Sequence, residues 1–153
     1  TLDEAIAVLT SAPRSGAFHH TLGQCGDSRL FSIEATGSGY SVRLLDGVFG
    51  HANHLIHESL GDVQQVITDS SASRQARLID ELTTSSQLDA AGALAILSDR
   101  QDAELPIYRL SPQDPDEENT LATALFVLNA RQVEWRIFTL DRQQAILQGV
   151  VNA

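Results

Sequence analysis

The feature that most restricts the fold of this chain is the period-two pattern of apolar and polar residues across its first third. The pattern predicts four strands, over residues 18–23, 30–35, 40–45 and 48–52. Short turns containing glycine, such as Gly37-Ser38-Gly39 and Asp46-Gly47, separate them. Connections this short join neighbouring antiparallel strands, so the segment is predicted to form an antiparallel meander.

Helical patterns flank this meander. Thr1 and Glu4 have the spacing of a capping box, which predicts a short helix that ends before Pro13. Residues 70–73 precede a second predicted helix, in which Leu78, Ile79 and Leu82 share a face. Residues 87–98 are predicted to form a third helix, with Leu94 and Leu97 directed toward the core, and these last two helices are expected to cover one face of the sheet.

The last third of the chain returns to strand patterns. Residues 111–118 are rich in proline and acids and predict an exposed loop. Strands are predicted over 121–128 and 133–140, joined by a turn at 129–132, with a last strand over 144–151. Strands followed by helices and then by strands indicate a single α+β domain over residues 1–153.

Composition narrows the functional classes. The formal net charge is −10, and the ten arginines are scattered in a chain without lysine, which argues against nucleic acid as a partner. No apolar run is long enough to span a bilayer, so we expect no membrane partner. The chain has no methionine and begins in mid-pattern, so we interpret it as the C-terminal part of a larger or processed protein. Its compartment is not indicated.

The segment His51-Ala52-Asn53-His54 is the strongest candidate site, because it places polar side chains directly after the predicted strands. A carboxamide such as that of Asn53 can donate hydrogen bonds to a developing oxyanion. His51 and His54 could also be a metal pair, but without a neighbouring acidic or cysteine ligand they form a poor ligand set. We therefore predict no metal and expect both histidines to bind the loop and orient Asn53.

Other polar residues are candidates for supporting roles. Strand alternation sends only one of His19 and His20 inward, and His20 is taken as the residue that lines a substrate cleft. Ser70 is expected to cap the second helix, from which Arg74 can reach back toward residues 51–54.

Three further side chains receive structural interpretations. Glu34 is expected to pair with an arginine such as Arg43 across the meander, and His57 is expected on an exposed loop. Trp135 is expected to pack in the core or on a sheet face.

These motifs together resemble the acyl-coenzyme A:6-aminopenicillanic acid acyltransferase family of N-terminal-nucleophile (Ntn) hydrolases. The resemblance rests on the order of the segments 18–20, 26–29, 31–34, 47–55 and 70–78. The usual family string is His-Thr-Asn-His, from which the chain departs only at Ala52. The resemblance implies a layered αββα fold with antiparallel sheets and covering helices. It also implies a small amide or acyl substrate, an acyl-enzyme, no cofactor, and Asn53 as the oxyanion donor.

In this family the nucleophile is a cysteine exposed by autocatalytic cleavage. Cys25 has residues on both sides, so the resemblance implies that the nucleophile lies in a missing N-terminal portion, which would be a partner of this chain. Thr1 is an alternative nucleophile, with helix capping as its structural interpretation.

Two functions remain open at this stage. The chain is either the C-terminal segment of an Ntn amide hydrolase or acyltransferase, inactive by itself, or a non-catalytic binding or structural domain that retains the fold. Homo-oligomerisation is compatible with both.

Overall fold

The computed structural model describes residues 1–83, 88–110 and 117–153. This part of the chain has the α+β class predicted from its sequence, with two antiparallel three-stranded sheets. The elements in chain order are α1 (Leu2–Thr10), β1 (Phe18–Gly23), β2 (Leu30–Ala35), β3 (Tyr40–Leu44), a single 3-10 turn (Glu58–Leu60), α2 (Asp69–Thr83), α3 (Ala90–Ile96), β4 (Thr123–Leu128), β5 (Gln132–Phe138) and β6 (Leu147–Asn152).

The first sheet has the order β1-β2-β3 and two faces of opposite character. Ile33 lies opposite His20 and Val42. Because paired residues share a face, the register shows on which of the two faces each side chain lies. One face is mainly apolar and contains the fully buried Ile33. The other face carries His19, Thr21, Ser32, Glu34, Ser41 and Arg43. This second, polar face is the one on which the candidate site is built.

The prediction of a fourth strand over 48–52 was wrong. These residues have no regular structure, because their main chain is bound by helix side chains instead of a neighbouring strand. The Gln75 side chain accepts a hydrogen bond from the Ala52 N–H at 2.7 Å and donates one to the Gly50 carbonyl at 3.2 Å. A Cβ at Gly50 would overlap the side chain of Leu78, so glycine permits this close approach to α2.

The helices follow the predicted order with shifted ends. Thr1 and Glu4 form the predicted capping box at the start of α1. Helix α2 already begins at Asp69, so Ser70 lies inside its first turn and the prediction of Ser70 as a cap was wrong. The hydroxyl of Thr68 takes the capping position instead, accepting from the Ser71 N–H at 3.2 Å.

The third helix is shorter than predicted. Asp89 caps it by accepting from the Gly92 N–H, and the first residue of the predicted range 87–98, Gln87, lies outside the described residues. Leu97 follows the end of α3 and is exposed, whereas Ile96 is buried, so the prediction that Leu97 points to the core was wrong. Helix α3 contacts β4 of the second sheet.

The second sheet has the order β4-β5-β6 and confirms the predicted hairpin at 129–132. Trp135 lies between Phe126 and Gly149 on an apolar face. A Cβ at Gly149 would come within 2.7 Å of the Trp135 ring, which explains the glycine at that position. Most of the predicted proline-rich loop, residues 111–116, lies outside the described residues. Within the described part of the chain, none of the helices combines the length and apolar character needed to cross a membrane.

Candidate functional site

Residues 51–57, here called the histidine segment, cross the polar face of the first sheet and are held there by Glu34. The Glu34 side chain is fully buried on β2. Its Oε1 binds His51 Nε2 at 2.7 Å and accepts from the Ile56 N–H at 2.6 Å, and its Oε2 accepts from the His57 N–H at 3.2 Å. One carboxylate therefore fastens both ends of the segment to the sheet.

This arrangement corrects the expected Glu34–Arg43 ion pair. In the register of the sheet, Glu34 lies opposite Ser41, and Arg43 lies opposite Ser32. The Arg43 guanidinium instead lies 5.5 Å from the centroid of the Phe49 ring. Burial raises the pKa of Glu34, but the hydrogen bonds from Ile56, His51 and His57 outweigh that effect, so the pKa lies below its ordinary value. Glu34 is a buried carboxylate anion stabilised by hydrogen-bond donors.

The prediction that His57 lies on an exposed loop was also wrong. Only 5% of the residue is exposed, and both ring nitrogens have hydroxyl partners. Nε2 lies 2.9 Å from Ser32 Oγ, and Nδ1 lies 2.9 Å from Ser41 Oγ. The pKa of His57 is lowered, first by burial, so the ring is neutral at neutral pH.

Of the two histidines on β1, His19 joins this network and His20 does not. His19 Nε2 lies 2.8 Å from Ser32 Oγ, and the ring stacks on His51 with centroids 3.7 Å apart. Strand alternation places His20 on the opposite face, where its ring lies 6.3 Å from that of Phe18. Burial, followed by the nearby His51, lowers the pKa of His19 to about 4. The expected role of His20 in lining the cleft therefore passes to His19.

Helix α2 holds the other side of the histidine segment. Ser71 Oγ accepts from the Asn53 N–H at 3.1 Å and lies 2.8 Å from His54 Nδ1. Arg74 Nη1 donates to Asn53 Oδ1 at 2.9 Å, and Arg74 Nε donates to Ser70 Oγ at 3.3 Å. The segment is thus held between β2 and α2 by side chains from both elements.

The contact with Arg74 determines which way the Asn53 amide points. A guanidinium has only donors, so the Asn53 atom that faces it must be the oxygen. The Nδ2 amino group then lies on the other side of the carboxamide. Asn53 is exposed and is one of the residues that line a cleft of about 620 Å³.

Both polar and apolar residues line this cleft. His19, His51 and His54 line it together with Asn53. The remaining lining residues are Ala17, Phe18, Thr36, Ala52, Leu55, Val63, Gln64, Gln65 and Val66. Two of them are joined to each other, since the Gln65 side chain makes two hydrogen bonds to the Leu55 main chain, at 2.7 and 3.0 Å. The cleft can thus hold a small ligand that has both a polar group and an apolar group.

The remaining candidates are His51 as a metal ligand and Cys25 and Thr1 as nucleophiles. Both ring nitrogens of His51 are used by hydrogen bonds, to Glu34 and to the Ala52 carbonyl. In the ranges 1–83, 88–110 and 117–153 there is no group of three or more histidine, cysteine or acidic residues that could hold a metal ion. Cys25 lies between β1 and β2, and Thr1 caps α1.

The main omission of the sequence reasoning was the polar face itself. Within the predicted hairpins, His19, Ser32, Glu34 and Ser41 fall on one face by alternation, and that pattern could have been recognised. The spacing of Ser71 and Gln75, one helical turn apart, was a second such signal.

A model of the family described as "Acyl-coenzyme A:6-aminopenicillanic acid acyl-transferase" matches residues 1–139. The matched range includes the first sheet, the histidine segment, α2 and β5. No curated protein and no solved structure matches the chain.

Proposed function

Because the chain belongs to the acyl-coenzyme A:6-aminopenicillanic acid acyltransferase family, we propose that it is the C-terminal segment of an Ntn-type amide hydrolase or acyltransferase. In this proposal a cysteine outside residues 1–153 attacks the carbonyl of a small amide or acyl substrate, and an acyl-enzyme forms. Asn53 donates from Nδ2 to the oxyanion that develops on the carbonyl oxygen.

The orientation of Asn53 is the observation that carries this proposal. Arg74 engages Oδ1 and Ser71 holds the main-chain N–H, so Nδ2 is the donor that the carboxamide keeps for a ligand in the cleft that Asn53 lines. Donors positioned in advance stabilise a transition state without the cost of reorganisation. The charge of Arg74 also polarises the carboxamide, which strengthens Nδ2 as a donor.

His51 and His54 would act by holding this geometry. His51 is fixed by Glu34, and His54 by Ser71, so the residues on either side of Asn53 are each tied to a different element. This supports their assignment as positioning residues.

The test is turnover by the protein that contains this chain together with the sequence preceding it. Penicillin V, a bile-salt conjugate, an N-acyl homoserine lactone and an acyl-coenzyme A are offered as substrates. We expect Asn53→Ala to lower kcat by about 10²–10³-fold, the usual effect of removing an oxyanion donor. Asn152→Ala, at an exposed residue of β6, is the matched control and should leave kcat unchanged. Equal turnover by both variants would reject the oxyanion role.

A non-catalytic binding domain is the second candidate. It is favoured by the positions of the two nucleophile candidates, since Cys25 lies in a turn and the Thr1 hydroxyl is engaged in the capping box. Saturable binding of one of these substrates without turnover, in the protein that includes the preceding sequence, would support this function over the enzymatic one.

A further inference from the structure

Five side chains form a continuous hydrogen-bonded path from the cleft to the far side of the histidine segment. We propose that this path, the hydroxyl–imidazole chain, is a proton relay that carries a proton from solvent to the leaving group of the acyl transfer. Its members in order are His19, Ser32, His57, Ser41 and Ser59. The proposal rests on the proposed function for its reaction, although the path itself is a property of this chain.

The distances are those of ordinary hydrogen bonds throughout. His19 to Ser32 is 2.8 Å, Ser32 to His57 is 2.9 Å, His57 to Ser41 is 2.9 Å and Ser41 to Ser59 is 2.7 Å. His19 lines the cleft, and Ser59 is exposed at the other end. Ser32 and His57, in the middle, are buried away from water. A proton that crosses this buried region therefore passes along the side chains of Ser32 and His57.

Every member of the path can both donate and accept. A hydroxyl has one donor and two acceptor positions, and a neutral imidazole has one of each. The pKa values of His19 and His57 are both lowered, chiefly by burial, so both rings are in this neutral form at neutral pH.

The direction of hydrogen-bond donation along the path favours delivery of a proton toward the cleft. Ser59 donates to Ser41. Continued in the same direction, Ser41 donates to His57 Nδ1, His57 Nε2–H donates to Ser32, and Ser32 donates to His19 Nε2. His19 then carries its proton on Nδ1, the ring nitrogen that remains for a ligand in the cleft.

The transfer balances as a shift of one proton along the path. His19 Nδ1 gives its proton to the departing amine or other leaving group as the bond to the acyl carbon breaks. His19 Nε2 takes the Ser32 proton, Ser32 takes the one from His57 Nε2, His57 Nδ1 takes the one from Ser41, and Ser41 takes the one from Ser59. Ser59 is reprotonated by solvent, so every group ends neutral. Such a path is useful when the substrate fills the cleft and excludes water from it.

The kinetic test interrupts the hydroxyl–imidazole chain at Ser41, away from the cleft that holds the substrate. Ser41 is not among the lining residues of the cleft, so Ser41→Ala should leave KM unchanged. We expect kcat for an amide substrate to fall by about 10-fold or more, a part of the roughly 10²–10⁴-fold that general acid catalysis supplies. A nitrophenyl ester of the same acyl group needs no protonation of its leaving group, so its turnover should not change. Ser41→Thr should restore amide turnover, and Ser38→Ala, an exposed hydroxyl outside the path, is the matched control.

A second measurement needs no turnover. Nitrogen-15 NMR of the histidine rings should show that Ser41→Ala shifts the His19 ring signals, three hydrogen bonds away, while Ser38→Ala leaves them unchanged. Failure of His19 to respond, or an equal fall in amide and ester turnover, would overturn the relay. Absence of turnover in the wild-type protein would overturn the proposed function instead, so the two failures are distinguishable.

Discussion

Replacement of Glu34 tests whether one buried carboxylate holds the candidate site together. Its carboxylate binds three groups of the histidine segment, namely the ring of His51 and the main-chain N–H groups of Ile56 and His57. Glu34→Ala leaves all three without this acceptor in a buried position. Each such group costs about 1–3 kcal/mol when it loses its only acceptor. Because these costs overlap, we expect a loss of about 4 kcal/mol in the free energy of unfolding.

Glu34→Gln is the more informative variant, because a loss of 4 kcal/mol is a large part of the stability of most domains. Glutamine keeps the shape and one acceptor oxygen but loses the charge that strengthens these hydrogen bonds. We expect it to cost about 1–2 kcal/mol at pH 7. Urea unfolding followed by far-UV circular dichroism measures both variants, with Glu58→Gln, at an exposed residue of the 3-10 turn, as the near-neutral control.

The pH dependence distinguishes this explanation from simple repacking. The folded-state pKa of Glu34 lies below the ordinary 4.5, so its stabilisation is complete above that pH. The stabilisation is lost as pH falls through the folded-state value. The difference between the wild type and Glu34→Gln should therefore be constant from pH 7 to about 5 and shrink in more acidic solution. A glutamine variant as stable as the wild type, or a difference that persists unchanged at acidic pH, would refute the reasoning.

Three further outcomes are expected from the same unfolding assay. Ser71→Ala should cost about 1–3 kcal/mol, since its hydroxyl binds both the main-chain N–H of residue 53 and a neighbouring imidazole; a loss below 0.5 kcal/mol would speak against that support. Thr1→Ala should cost about 1 kcal/mol by removing the helix cap and leave turnover unchanged, whereas abolished turnover would make Thr1 a nucleophile. Gly50→Ala should cost about 1–3 kcal/mol by forcing Leu78 to move, while Gly37→Ala, whose Cβ would make only an ordinary contact of 3.6 Å with the Arg14 carbonyl oxygen, should be near neutral; equal effects would contradict the packing argument.

Local signals were sufficient for much of the fold and for the central candidate residue. The bounds of β1 and β2 and the capping box at α1 agree with the predicted ones, because alternation and capping depend on residues a few positions apart. Asn53 could be selected from its own chemistry and its histidine neighbours. The strand predicted over 48–52 failed because the main chain of Gly50 and Ala52 bonds to the Gln75 side chain of α2 instead of pairing with another strand.

The sequence by itself determined the α+β class, the meander, the hairpin of the second sheet and the choice of Asn53 as a candidate. Only the tertiary structure decided that Glu34 binds the histidine segment, that His57 is buried and that His19 rather than His20 faces the cleft. The physical reason is distance along the chain. The bonds that settle these questions join residues 13 to 25 positions apart, and they form only once the chain has folded.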